Sequence, residues 1–143
     1  MPLKSYRELE VWQRSMDLAE AVHKATRKWP AVERFGLISQ ANRAAGSVPS
    51  NIAEGYGRLH RGDYVKHLSY ARGSLMELET HLILAVRVEV ADPAPLRSVW
   101  TLAQRTGQML NRLIDSLTEL DPDEPHRPKR KPAKGSRRSS TRR

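Results

Sequence analysis

The 143-residue sequence contains no cysteine, which excludes disulfide frameworks, thiolate zinc sites, iron–sulfur clusters and thiol nucleophiles. It has no run of 18 apolar residues, and the opening Met-Pro-Leu-Lys-Ser-Tyr-Arg lacks the apolar stretch of a secretory signal. A soluble cytoplasmic protein with no membrane contact is the expectation. Aromatic residues make up only 6%, with a single phenylalanine, and glycine (8) and proline (9) are not in excess. What is abundant is positive charge. Lys and Arg number 25 against 16 acidic residues, a net charge of +9, and the pI is near 10.4. Such a balance points to an anionic partner.

The length suits one domain, and the charge is unevenly placed within it. Residues 1–120 carry 16 basic and 13 acidic side chains, whereas residues 121–143 carry nine basic and three acidic. That last stretch has no aliphatic side chain larger than alanine and no aromatic. It cannot bury enough apolar area to offset a chain entropy of roughly 1–2 kcal/mol per residue, so residues 121–143 are expected to form a disordered basic tail.

In residues 1–120, apolar residues recur at alternating steps of three and four, the one-sided stripe of an amphipathic helix. The stripes are Leu9, Trp12, Met16, Ala19, Val22, with Val11 and Leu18 on the flanks; then Ile38, Ala41, Ala45, Val48, Ile52. A third runs Tyr64, Leu68, Ala71, Leu75, Leu78, Leu82, Ala85, and a fourth Leu96, Val99, Ala103, Thr106, Leu110, Leu113, Leu117, Leu120. Ser5-Tyr6-Arg7-Glu8 fits a capping box, Trp29-Pro30 a stop, and Asp92-Pro93 an N-cap followed by proline at the first helical position. Gly55, Gly57 and Gly62 loosen the chain between the second and third stripes. The pattern predicts an all-α, up-down-up-down antiparallel four-helix bundle, with helices over about 5–29, 33–57, 62–89 and 93–119. Pro49 lies inside the second stripe without disturbing its phase, which predicts a kinked helix rather than a break.

Twelve further apolar residues fall off these seams: Trp29, Phe35, Leu37, Tyr56, Leu59, Ile83, Leu84, Val86, Val88, Trp100, Leu102 and Met109. Surplus apolar surface on a slim bundle favours self-association. Chemistry, by contrast, is hard to find. A bundle di-metal centre uses two Glu-x-x-His motifs, and only Glu20-Ala21-Val22-His23 matches. Asp63/His67 and Glu77/His81 read as i,i+4 surface pairs. Neither a G-x-S-x-G elbow nor a phosphate-cradling glycine loop occurs. The expectation is a non-enzymatic protein with no metal and no cofactor.

Three blocks carry a resemblance: Tyr6-Arg7-Glu8-Leu9-Glu10-Val11-Trp12, the long run from Phe35 to Arg58 centred on Ser47-Val48-Pro49-Ser50-Asn51-Ile52-Ala53-Glu54-Gly55, and Ala71-Arg72-Gly73-Ser74-Leu75-Met76-Glu77-Leu78-Glu79. The chain resembles the bacterial four-helix-bundle family that includes proteins encoded in intervening sequences of large-subunit ribosomal RNA genes. The accessory variability determinant of diversity-generating retroelements is a relative. The resemblance implies a left-handed up-down bundle, assembly into a ring that is commonly a homopentamer, a basic surface and no enzymatic activity. It also implies a nucleic-acid-binding accessory role, with a reverse transcriptase as partner of the retroelement member. Members commonly carry two adjacent basic residues after a Gln-Leu pair, whereas Gln40-Ala41-Asn42-Arg43 keeps one.

Two sets of charged residues follow. Arg43 and Arg72 are expected to pair with Glu54, Glu77 and Glu79, within or between subunits. Arg58, Arg61 and Lys66, with the tail's Arg127, Lys129, Arg130, Lys131, Lys134, Arg137, Arg138, Arg142 and Arg143, are candidate phosphate contacts. The alternative function is an adaptor or scaffold ring that docks a partner protein.

Overall fold

The computed structural model describes residues 5–126; the basic tail from Arg127 onward, expected to be disordered, lies outside them. Four α-helices account for most of the described chain: α1 (Glu10–Thr26), α2 (Leu37–Tyr56), α3 (Arg61–Arg87) and α4 (Pro93–Thr118). Two short 3-10 turns, Tyr6–Glu8 and Ala31–Glu33, precede α1 and α2. No strand forms among the described residues. Each helix touches two others, α1 with α2, α2 with α3, α3 with α4 and α4 with α1, and no contact crosses a diagonal. Side-chain pairs fix the directions. Glu54 of α2 lies by His67 of α3 while Arg43 meets Glu77, and Gly107 of α4 lies by Leu75 while Gln104 meets Glu79. Partner numbers run in opposite senses, so neighbours are antiparallel, as the short connections require.

The core follows the third stripe residue for residue: Tyr64, Leu68, Ala71, Leu75, Leu78, Leu82 and Ala85 are all buried. Full burial of a leucine contributes about 1.5–3 kcal/mol, which makes α3 the spine of the fold. Its most extensive partner is α2, whose inward face is mostly small: Ala41, Ala44, Ala45, Val48, Ile52 and Gly55 are buried. Gly55 is not the loose helix end expected from its neighbourhood. It is helical and buried, and a Cβ there would stand 2.6 Å from the His67 Cβ, so the two backbones approach too closely for any side chain. α2 passes through Pro49 as one helix. Around the missing N–H, Ser47, Ser50 and Asn51 side chains donate to the carbonyls of Arg43, Gly46 and Ser47.

Helix α1 departs from its expected seam. Val11, Ser15, Leu18, Val22 and Thr26 face inward, and Met16 faces out. The sequence pattern hid this because two of the buried residues are polar. The Ser15 hydroxyl donates to the Trp12 carbonyl at 2.7 Å and Thr26 to that of His23 at 3.2 Å, so neither carries an unmet hydrogen bond inside. The first expected helix is also shorter. Ser5 accepts from the Arg7 N–H and caps only the 3-10 turn, after which Leu9 turns extended before α1 starts.

Of the off-seam apolar residues, Trp29 and Tyr56 join the core, and Leu37, Val86, Leu102 and Met109 are half-buried against it. Phe35, Leu59, Ile83, Leu84, Val88 and Trp100 remain exposed. No helix among the described residues is long and apolar enough to cross a membrane.

Candidate nucleic-acid interface

The expected boundary at residue 120 falls short of the folded part, because residues 121–126 turn back onto the α2–α3 end of the bundle. The first N–H groups of any α-helix have no partner within it. At α3, the Arg61 N–H donates to the Glu124 carbonyl and the Gly62 N–H to that of Pro122, both at 3.0 Å. The His126 N–H donates to the Leu59 carbonyl at 2.7 Å, and His60 and Pro125 form an antiparallel bridge. The Asp121 carboxylate shapes the turn by accepting from the Asp123 N–H. The His126 ring then lies 3.9 Å from the Tyr64 ring and 5.0 Å, edge-on, from Tyr56. Burial, with Tyr56 alongside, pushes the Tyr64 hydroxyl above its ordinary pKa. Composition alone misses this segment because it is held by backbone groups and one imidazole, not by aliphatic burial.

The clasp reassigns Arg61. Its side chain is only 13% exposed, and its guanidinium donates to Glu124 Oε2 at 2.9 Å and to the Asp121 carbonyl at 3.0 Å. An arginine tied inward in this way holds the clasp and does not present its charge to phosphate, contrary to expectation. The other two body candidates stay at the surface: Arg58, half-exposed, with Glu54 at 3.4 Å, and Lys66, exposed with no ion pair among the described residues. Both lie at the end of the bundle where residues 121–126 fold back.

The expected structural pairs form in part. Arg43 meets Glu77 at 2.7 Å and also donates to Gln40, and Glu77 reaches His81 at 3.3 Å. Glu79, which burial holds above the ordinary carboxylate pKa, accepts from Gln104 of α4 at 3.0 Å. Arg72 makes no ion pair among the described residues and stands exposed on α3. Asp63 and His67 do meet, but through the Asp63 carbonyl, 2.8 Å from the imidazole Nδ1. Asn42, at the position where members of the resembling family commonly carry a second basic residue, is a tie between helices. It donates to Thr26 and to the Ile38 carbonyl, and its oxygen lies 3.2 Å from His23 Nδ1.

Two basic clefts escaped the sequence reading. One, of about 540 Å³ at the α1–α2 end, is lined by His23, Arg27, Trp29 and Arg34 among others. The other, of about 360 Å³ between α1 and α4, holds Arg14, Arg105 and Arg112 beside Glu10. The seven-residue step from Arg105 to Arg112 puts both on one face of α4, a signal the sequence did contain. Even so, the described body is not basic. Residues 5–126 carry 15 Lys and Arg against 16 Asp and Glu, while residues 127–143 carry nine basic side chains and no acidic one. Among the described residues no group of three or more His, Asp or Glu is placed to hold a metal ion.

Comparison with known proteins bears on the fold and the family. The family model described as 23S rRNA-intervening sequence protein matches residues 7–112. Among solved structures, a protein of unknown function from the S23 ribosomal protein family of Bacteroides thetaiotaomicron is 22% identical, with a TM-score of 0.65 over 73% of this chain and 97% of that one. No curated protein matches the chain.

Proposed function

The chain belongs to the 23S rRNA-intervening sequence protein family, and from that premise we propose that it is a non-enzymatic, self-associating helical-bundle protein of the cytoplasm. It binds RNA or DNA through phosphates, with little sequence discrimination. The observation that carries this reading is the separation of charge. The bundle is close to neutral, and the nine cations beyond residue 126 are rooted by the clasp beside Arg58 and Lys66 at one end of the rods. Cations without acidic neighbours gain most from releasing the counterions of a polyanion. A ring of copies, each carrying one tail, would multiply that effect through local concentration.

Affinity for a mixed-sequence duplex and for a single strand, measured across a salt series, tests the reading. On duplex DNA the full chain should lose affinity with a log–log slope of about 0.9 per phosphate contacted. A chain ending after His126 keeps the clasp and should lose most of both slope and affinity. A flat salt dependence of the full chain would overturn the proposal.

A further inference from the structure

Two apolar surfaces lie open at the end of the bundle opposite the clasp. The first is a protrusion on the connector between α1 and α2, where Val32 and Phe35 are 87% and 91% exposed. The second is a groove of about 550 Å³ between the last turns of α3 and the first of α4, lined by Leu82, Ile83, Val86, Pro93, Leu96 and Trp100. A phenylalanine held almost wholly in water and an apolar groove open to water each lack the burial that would favour them.

Their placement is what connects them. The helices touch in the closed order α1–α2–α3–α4 with no diagonal, so the α1–α2 face and the α3–α4 face are opposite sides of one rod. Trp29, at the end of α1, lines a common cleft with Ala91, Asp92 and Leu96, so the connector and the groove sit at the same end. Phe35 therefore cannot reach the groove of its own chain, but it stands level with the groove of a neighbour laid alongside. Arg34, next to it, turns toward the α1 side and lines the cleft with Arg27 and Trp29, which leaves the protrusion apolar.

We propose that Phe35, with Val32, seats in the α3–α4 groove of a second copy of this chain. The inference rests on the self-association proposed above and names the surfaces that make it. The contact is heterologous, a protrusion on one face meeting a socket on the other. Because both lie at one end, the copies stand side by side with their rods running the same way. The clasps then all lie at the opposite end of the rods, away from the contact.

The test uses the full chain and its mass in solution by light scattering. Phe35→Ser and Ile83→Lys, both at exposed positions, should each reduce the assembly to single chains without changing helix content by circular dichroism. Mixed in equal amounts, the two variants should form a two-chain species, because one still has its groove and the other its protrusion. An isologous contact between two grooves would give no such rescue, and its absence overturns the proposal. So does a Phe35→Ser chain that keeps the parent mass. If that chain instead loses only its affinity for a single strand, Phe35 serves as a stacking platform for bases. A parent chain that is itself monomeric sinks the self-association reading as well. An assembly indifferent to both substitutions sinks this inference alone.

Discussion

The two ends of the bundle solve the same problem in opposite ways. At the α2–α3 end, the helix terminus and the aromatic pair Tyr56–Tyr64 are covered by the chain's own residues 121–126, and Arg61 is tied inward. At the other end, Phe35, Val32, Ile83, Leu84, Val88 and Trp100 are left uncovered. Under the proposed function the clasped end carries the basic residues, whereas the open end exposes the surface that a second copy would bury.

The largest test of this contrast is to remove the clasp. A chain ending after Leu120 loses the carbonyl partners of the Arg61 and Gly62 N–H groups and leaves the Arg61 guanidinium, now without Glu124, beside α3. Three lost backbone bonds, the third from the His126 N–H to the Leu59 carbonyl, and a stripped charge should cost about 3 kcal/mol relative to a chain ending after His126, read from urea midpoints. Equal midpoints would show that the clasp only rests on the bundle. Next comes alkaline pH. An unfolded tyrosine ionises near pH 10, whereas buried Tyr64 holds its proton to higher pH. The unfolded state then binds fewer protons, so stability is intact below about pH 10 and falls above it, by up to roughly 1.4 kcal/mol per pH unit from this group. Tyr64→Phe should remove that component, and a parent-like alkaline loss in the variant would mean that the clasped end is not what titrates. The smallest effect belongs to the open end. Glu89 has φ 61°, the left-handed conformation, and terminates α3 with the Val90 N–H donating to the Ala85 carbonyl, a position that favours glycine. Glu89→Gly should raise stability by about 0.5 kcal/mol, and a lowered urea midpoint would show that the side chain holds the turn.

Much of the fold was legible because apolar spacing and helix geometry are the same physical fact. The α3 stripe, the α4 stripe through Leu110 and the turn at Asp92-Pro93 needed no tertiary knowledge. The α1 face was misread because serine and threonine satisfy their own hydroxyls on the preceding turn and so pass into the core while looking polar. Trp29 and Tyr56 looked surplus for a related reason: they pack at the ends of the rods, where helical periodicity no longer indicates which way is inward. Among the candidate residues, Arg58 and Lys66 lie at the surface, as charged side chains by default do. The inward tie of Arg61 could not be read from the sequence, because its partners lie some sixty positions away in the chain.

The sequence by itself determined that four amphipathic rods pair side by side and that the positive charge concentrates at the C-terminus, since both depend only on the local order of residue types. Tertiary structure alone decided which arginine is consumed internally, that residues 121–126 fold back onto the bundle, and that the protruding phenylalanine and the groove share one end on opposite faces. Those outcomes depend on distances between segments remote in the chain, which hydrophobic periodicity does not encode.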